Sequence, residues 1–431
     1  MHGDGPGARS AATADLGVFL AGDALMAEPW SRVTEPAFER LIAEMRAADA
    51  TLVNLETVIH EFKGYPQADS GGIWAAAPPA IARELKWAGV DAVGHANNHA
   101  FDYGSTGILE TLEHVAAAGL VLAGSGKDLQ EARAPRTLVC DGGSVALVAM
   151  ASTFVPYGRA SRSRPDVAGR PGLNPLTLVR ERVSEVTPGL ARLLRRLAGS
   201  RGEPPHASGG STFRVFGRSF RVGARTRRVS ERRPVAADAA ANLAAIAHAA
   251  READVTIASI HAHAQKKWLP DFAREALAAG ADVVFCHGPH RVRGIELVGG
   301  KPIFYGLGDF VFQLDAISPQ PAEAYERLGL PETANAADAA KAMRESSLAS
   351  LRAAYEGCAA ALRFRGGRLE EIRLLPLDLQ FDASEKTRGL PRWADPELGQ
   401  RIIEQIARRS RPFRTQIRYD AARNEGWIAL A

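Results

Sequence analysis

Cysteine is scarce in this chain: Cys140, Cys286 and Cys358 are the only three among 431 residues. Thiols so far apart make no disulfide framework, and they argue against a thiolate-built structural zinc site. Long apolar runs are missing as well. No stretch approaches the roughly 20 consecutive apolar residues that a membrane span needs. The first apolar run, "LGVFLAGD", is short, is preceded by Asp4 and Asp15, and lacks the basic leader of a secretory signal. A cytoplasmic protein with no membrane partner is expected. Phosphate-loop, dinucleotide and nucleophile-elbow patterns are also absent. The "GSGKD" stretch at 124–128 lacks phosphate-loop spacing and reads as a turn.

What is present is a globular composition, 46% hydrophobic and 24% charged, with a net charge of +4. That small net charge hides an uneven distribution. Residues 159–233 hold 18 Arg, no Lys and five acids, a local net of +13, leaving −9 for the remainder. This block reads as a basic insertion at about 159–234, either a solvated excursion or an anion-binding surface. Nucleic acid is not the expected partner: Phe213, Phe216 and Phe220 lie among the arginines, but the rest of the chain is acidic.

Strand and helix patterns alternate through the first 150 residues, resume after the insertion at "DAAANLAAIAHAAREAD", and predict an α/β fold. Residues 318–356 read as helical and Ala-rich, and "AAALRFRGGRLEEIRLLPL" as a hairpin. Residues 1–14 read as a flexible N-terminus, and 15–431 as one interrupted domain.

In such sheets the loops after the C-terminal strand ends build the site. Asp23 ends "AGD", and Asn54 and Glu56 end "VNLE". His95, Asn97, Asn98 and His99 follow the third strand in "GHANNHAFDYG". His261 and His263 end "TIASIHAH", while His287 and His290 follow "VVFC". A lone histidine is more often structural; five strand ends delivering carboxylate, amide and imidazole together point to a divalent ion such as Mn, Fe, Zn or Mg. In "NNH" an amide oxygen would be the ligand, with the next histidine free for proton transfer. His60, His114, His206 and His248 fall outside this pattern and read as surface or structural. Trp30, Trp74 and Trp87 read as core rather than pocket lining.

These motifs, "GDALM", "NLE", "NNHAFDYG" and "GADVVFCHGPH…KPIFYGLGDFVF", resemble the CapA family of poly-gamma-glutamate biosynthesis proteins. They run in family order over about 16–150 and 238–313. The resemblance implies a calcineurin-like metallophosphoesterase fold, a layered α/β sandwich. It implies one or two divalent ions (Mn, Mg, Zn, Fe or Ca) on Asp23, Glu56, Asn98, His261, His287 and His290. It makes His99 the acid/base histidine, and leaves His95, Asn97, His263 and Asp309 as supporting residues. Departures stand out. Leu25 occupies the histidine position of the fold's D-x-H motif, "HAHAQ" replaces H-W-G-x-E, and "GDF" replaces G-N-F.

The family also includes soluble enzymes that epimerise the C-terminal residue of lasso precursor peptides. Among the readings the resemblance allows, this chain fits metal-dependent Cα epimerisation of a precursor peptide best. Asp23, His99 and His290 are the candidates for moving protons, and the Arg-rich segment is the candidate for binding a peptide carboxylate. The alternatives are a phosphoester or amide hydrolase, and a component of poly-gamma-glutamate assembly or export.

Overall fold

The structure is a computed structural model that describes residues 15–200, 206–208, 212–215, 217–265, 267–346, 350–384 and 387–430. The 1–14 segment, expected to be flexible, lies outside the described residues. The chain divides into two compact units, one of residues 1–175 and 240–431 and one of residues 176–239.

The larger unit is built on two sheets. In the ten-stranded sheet, Asp15–Leu25 lies between Ala50–Leu55, which runs parallel to it, and Glu356–Arg365, which runs antiparallel. In the six-stranded sheet, Val255–His261 lies between Gly143–Ala151 and Val283–His287, both parallel to it. The period-two alternation of the first strand decides what each face covers. Val18 and Leu20 pack with Val145, Leu147, Ile257 and Val283 of the other sheet. Phe19 and Ala21 point the opposite way, to Phe38, Leu41 and Ile42 of the helix Pro36–Ala47 and to Ile81 and Leu85 of Ala80–Ala88. Two sheets face each other and helices cover the outside, the layered α/β sandwich expected from the sequence.

The sheets approach closely near the strand ends. A Cβ on Gly94 would stand 3.2 Å from Ser259 Oγ and 3.6 Å from Ala149 Cβ, both on the facing sheet. At its C-terminal end the first strand gains another parallel neighbour, Asp309–Phe312, with Asp23 level with Asp309. That pairing is why two carboxylates distant in sequence share one end of the sheet.

Elsewhere the expectations are met unevenly. The 356–378 hairpin forms, turning on Gly366 and Gly367, both at positive φ. The described part of 318–356 is helical in short pieces, Ala322–Arg327, Ala336–Glu345 and a 3-10 turn at Arg352–Tyr355. Gly329 at φ +70° follows the first, and Asn335 opens the second through a capping box with Asp338. Trp30 and Trp74 are fully buried; Trp87 is partly exposed beneath the Arg46 guanidinium. His60 is buried against Phe62 and Tyr103, a structural placement.

The smaller unit is a five-stranded sheet in the order His206–Ser208, Thr212–Val215, Arg218–Val222, Leu178–Val186, Arg227–Pro234. The helix Pro188–Ser200 sets Ala191 and Ala198 against Val186, Phe213 and Val215, forming a core of its own. Residues 159–175 belong to the larger unit, where Gly172–Leu173 pairs with Ser125–Gly126. Sequence reading found no strands in the insertion, because Arg occupies so many of their outward positions.

The meeting of the first strand with Asp309–Phe312 leaves no room at Gly22, where a Cβ would overlap the Gly308 carbonyl. Gly22→Ala is expected to cost about 1–3 kcal/mol by overpacking, read as a lower urea midpoint. An unchanged midpoint would contradict this account of how Asp23 is set beside Asp309.

Candidate metal centre

The C-terminal strand ends of both sheets converge on one buried cluster. Asp23 accepts from Asn54 Nδ2 at 2.7 Å through Oδ1 and from the Gly288 backbone N–H at 2.9 Å through Oδ2. His287 Nδ1 lies 3.3 Å from Asp23 Oδ1 and 2.9 Å from His261 Nδ1. The other nitrogen of His261 meets Asn98 Oδ1 at 2.6 Å, His263 Nε2 at 3.2 Å and Glu56 Oε1 at 3.5 Å. His290 Nδ1 pairs with Asp309 Oδ1 at 2.8 Å, and one ligand atom each from Asp23, His290 and Asp309 fall within 4.8 Å of one another. Asp23, Glu56, Asn98, His261, His287 and His290 thus stand together, with His263 and Asp309 among them.

This arrangement fits a cation. A neutral imidazole carries one N–H. His261 therefore cannot donate to all of the oxygens and ring nitrogens crowded around it. Both Glu56 carboxylate oxygens are buried with no hydrogen-bond partner, and so is Asp309 Oδ2. An uncompensated buried carboxylate costs several kcal/mol. The ligand set of carboxylate, amide oxygen and imidazole suits a divalent ion. Asp23, His261 and His287 form one possible ligand group, and Glu56, His261 and His263 another.

The electrostatics point the same way. Burial, reinforced by the Asp23 charge, raises Glu56 well above the usual carboxyl range. Burial opposes ionisation of Asp23 too, but His287, with His261 and His290, holds that carboxyl low. Desolvation pushes His261 well down, and with the nearby His290 charge it brings His263 to about 4. Both rings are therefore neutral and able to act as ligands near pH 7. His290 differs. Burial works against its charge, yet Asp309, Glu56 and Asp23 raise it to about 10. Burial lifts Asp309 to about 6, so the His290–Asp309 pair is ionic at neutral pH.

The "GHANNHAFDYG" loop divides its labour. Asn98 reaches His261, whereas Asn97 braces the loop by donating to the Leu55 carbonyl and accepting the His99 N–H. His99 Nδ1 pairs with Asp102 Oδ2 at 2.7 Å, and the Ala75 N–H donates to the same oxygen. Nδ1 therefore carries the proton and Nε2 keeps its lone pair. His95 turns away to Ser125 Oγ at 2.7 Å, and burial lowers it to about 4. Sequence reading missed Ser259, whose hydroxyl lies 2.8 Å from His287 Nε2. Its position two residues before His261, on the same strand face, was the available signal. It also missed the backbone of Gly288. Gly288 sits at φ +109°, where a Cβ would press on the His261 and His263 rings, and His290 itself adopts φ +50°.

The family model described as bacterial capsule synthesis protein PGA_cap matches residues 17–314. An uncharacterized protein of Sinorhizobium fredii is 32% identical over 92% of this chain and 89% of its own length. A probable polyglutamine synthesis accessory protein of Mycobacterium tuberculosis is 28% identical over 64% of this chain and 59% of its own. The PGA biosynthesis protein CapA of Bacillus subtilis is 26% identical over 69% and 63%. The two-sheet sandwich is the calcineurin-like metallophosphoesterase fold.

Glu56 offers a direct check of the cation requirement. Its folded pKa lies above its unfolded value, so its contribution to metal-free stability is full below the ordinary glutamate range. That contribution is lost as pH rises through the folded value. Glu56→Gln should therefore raise the metal-free Tm by a few degrees near neutral pH. It should also lose most of the Tm gain that a bound divalent ion gives the wild type. A lower metal-free Tm together with a retained metal response would contradict this reading.

Proposed function

Since the chain belongs to the bacterial capsule synthesis PGA_cap family, we propose that it serves the making or tailoring of a glutamyl or peptide chain through a divalent-metal-dependent acid–base centre. The observation that carries this is the buried Glu56 carboxylate, with no donor, at the convergence of Asp23, Asn98, His261, His263 and His287. The names of the relatives in polyglutamine and PGA synthesis support the glutamyl side of the reading.

Asp23, Glu56, Asn98, His261 and His287 would hold the ion, with His263 beside them. A bound divalent ion draws electron density from a carbonyl or carboxylate oxygen, which acidifies the adjacent C–H or activates the carbonyl carbon. The chain supplies the proton carriers. His99 keeps Nε2 free to accept a proton because Asp102 holds the N–H at Nδ1. His290, kept as an imidazolium by Asp309, has a proton to give. Asp102 and Asp309 orient the two rings and stabilise their charged forms.

One imidazole able to accept and one able to donate is what exchange at a Cα centre requires. The finer form of the proposal is therefore epimerisation of a peptide residue. Leu25, in place of the D-x-H histidine, removes one ligand from the two-ion clamp used in phosphoester hydrolysis. Amide hydrolysis is the second reading, because the same polarised carbonyl is open to attack by water.

The test incubates metal-loaded protein in D2O with precursor-like peptides, γ-glutamyl oligomers and an aryl phosphate. We expect one deuterium at Cα with inversion, abolished by chelator. His99→Asn and His290→Asn should each slow the exchange by about 10²–10⁴. Amide cleavage without exchange would replace the epimerase form with the hydrolase. No turnover of any substrate would overturn the catalytic reading.

A further inference from the structure

The sheet of the 176–239 unit separates its charges by face. Residues directly opposite each other in a ladder share a side, so the pairing fixes which side chains lie together. One face carries Glu181, Glu185 and Glu231, and each is matched. Arg221 lies 2.7 Å from Glu231 and 2.8 Å from Glu185, Arg233 lies 3.2 Å from Glu181, and Arg227 pairs with Glu185.

The other face of the same two strands is different. Arg180 stands directly opposite Arg232, Arg182 opposite Ser230, and Arg228 opposite Ser184. All four arginines are exposed, and none of their side chains has an ion-pair or hydrogen-bond partner among the described residues. Like charges facing each other across a ladder are destabilising. Glu181, Glu185 and Glu231, the acids of these two strands, are on the reverse side. Farther along this face, Val186, Phe213 and Val215 are covered by the helix Pro188–Ser200. The arginines lie beyond that core.

We propose that this arginine face docks an extended, α-linked peptide segment rich in Asp and Glu. In an extended α-peptide, side chains return to one face every two residues, about 6.8 Å apart. Arg180 and Arg182 repeat on that step, and Arg228 and Arg232 repeat on twice it. Each guanidinium can grip a carboxylate through two parallel hydrogen bonds. Arg227–Pro234 ends the sheet on that side, so its outer backbone groups can accept an added strand. A γ-linked polymer lacks the two-residue alternation. Single-stranded nucleic acid would want exposed aromatics for stacking, but Phe213 is buried and stacked on Phe220, 5.7 Å between centroids. The surface uses no residue of the metal centre, so its success or failure is separate from the proposed chemistry.

The experiment measures fluorescence anisotropy of a labelled α-linked peptide of about 12 residues, alternating Glu and Ser, on the full chain with chelator present. R180E/R232E should weaken binding about tenfold or more, and R180K/R232K by about threefold, because lysine keeps the charge but loses the fork. The charge-matched control R411E/R418E should change it by less than about twofold. Unchanged Tm values would show that all variants fold. Equal weakening by the control would reduce the effect to bulk charge and overturn the proposal. So would equal or tighter binding of a γ-linked oligoglutamate or of single-stranded DNA of matched charge.

Discussion

Glu56 brings a carboxylate into a fully buried position where no hydrogen-bond donor meets it, and His261 receives oxygens and ring nitrogens on both of its own nitrogens. Buried carboxylate and ring lone pairs that no donor meets are costly, and a cation at the cluster would satisfy them. The basis for treating the strand-end cluster as a metal centre is this imbalance, more than any single contact. It also explains the division among the histidines. His261 and His263 are held neutral by burial, whereas His290 gathers the negative potential of Asp309, Glu56 and Asp23 and stays charged.

The fold delivers this cluster through a few tight backbone passages. Gly22 lets the first strand meet Asp309–Phe312, which sets Asp23 level with Asp309. Gly288 turns left-handed, clears the rings of His261 and His263, and gives its N–H to Asp23. His290 follows at φ +50°, a conformation that costs a side-chain-bearing residue about 1–3 kcal/mol. Backbone strain of this kind persists only where the surrounding packing holds it in place.

Much of this was legible in the sequence because it follows from strand periodicity. Parallel strands expose their C-terminal ends, and reading the polar residues at "GD", "NLE", "NNH", "HAH" and "CHGPH" collected the cluster without any structure. What escaped was set by register between distant segments. Nothing local says that Asp309 lies beside Asp23, that His290 chooses Asp309, or that His95 leaves the cluster for Ser125. The insertion was legible as charge but not as a sheet, because exposed arginines on a small sheet mask the alternation that marks strands. The sorting of Glu181, Glu185 and Glu231 to one face appears only once the ladder is drawn. The 318–356 stretch is helical as its alanines favour, with Gly329 and Pro331 dividing it into short pieces.

Family membership fixes the fold, while the reaction depends on what the centre holds. The most direct measurement is an anomalous difference map from crystals grown with manganese. A peak is expected within bonding distance of oxygen or nitrogen atoms of Glu56 and His261, with Asp23, Asn98, His263 or His287 completing the shell. No peak at the cluster in a fully ordered, manganese-saturated crystal would contradict it.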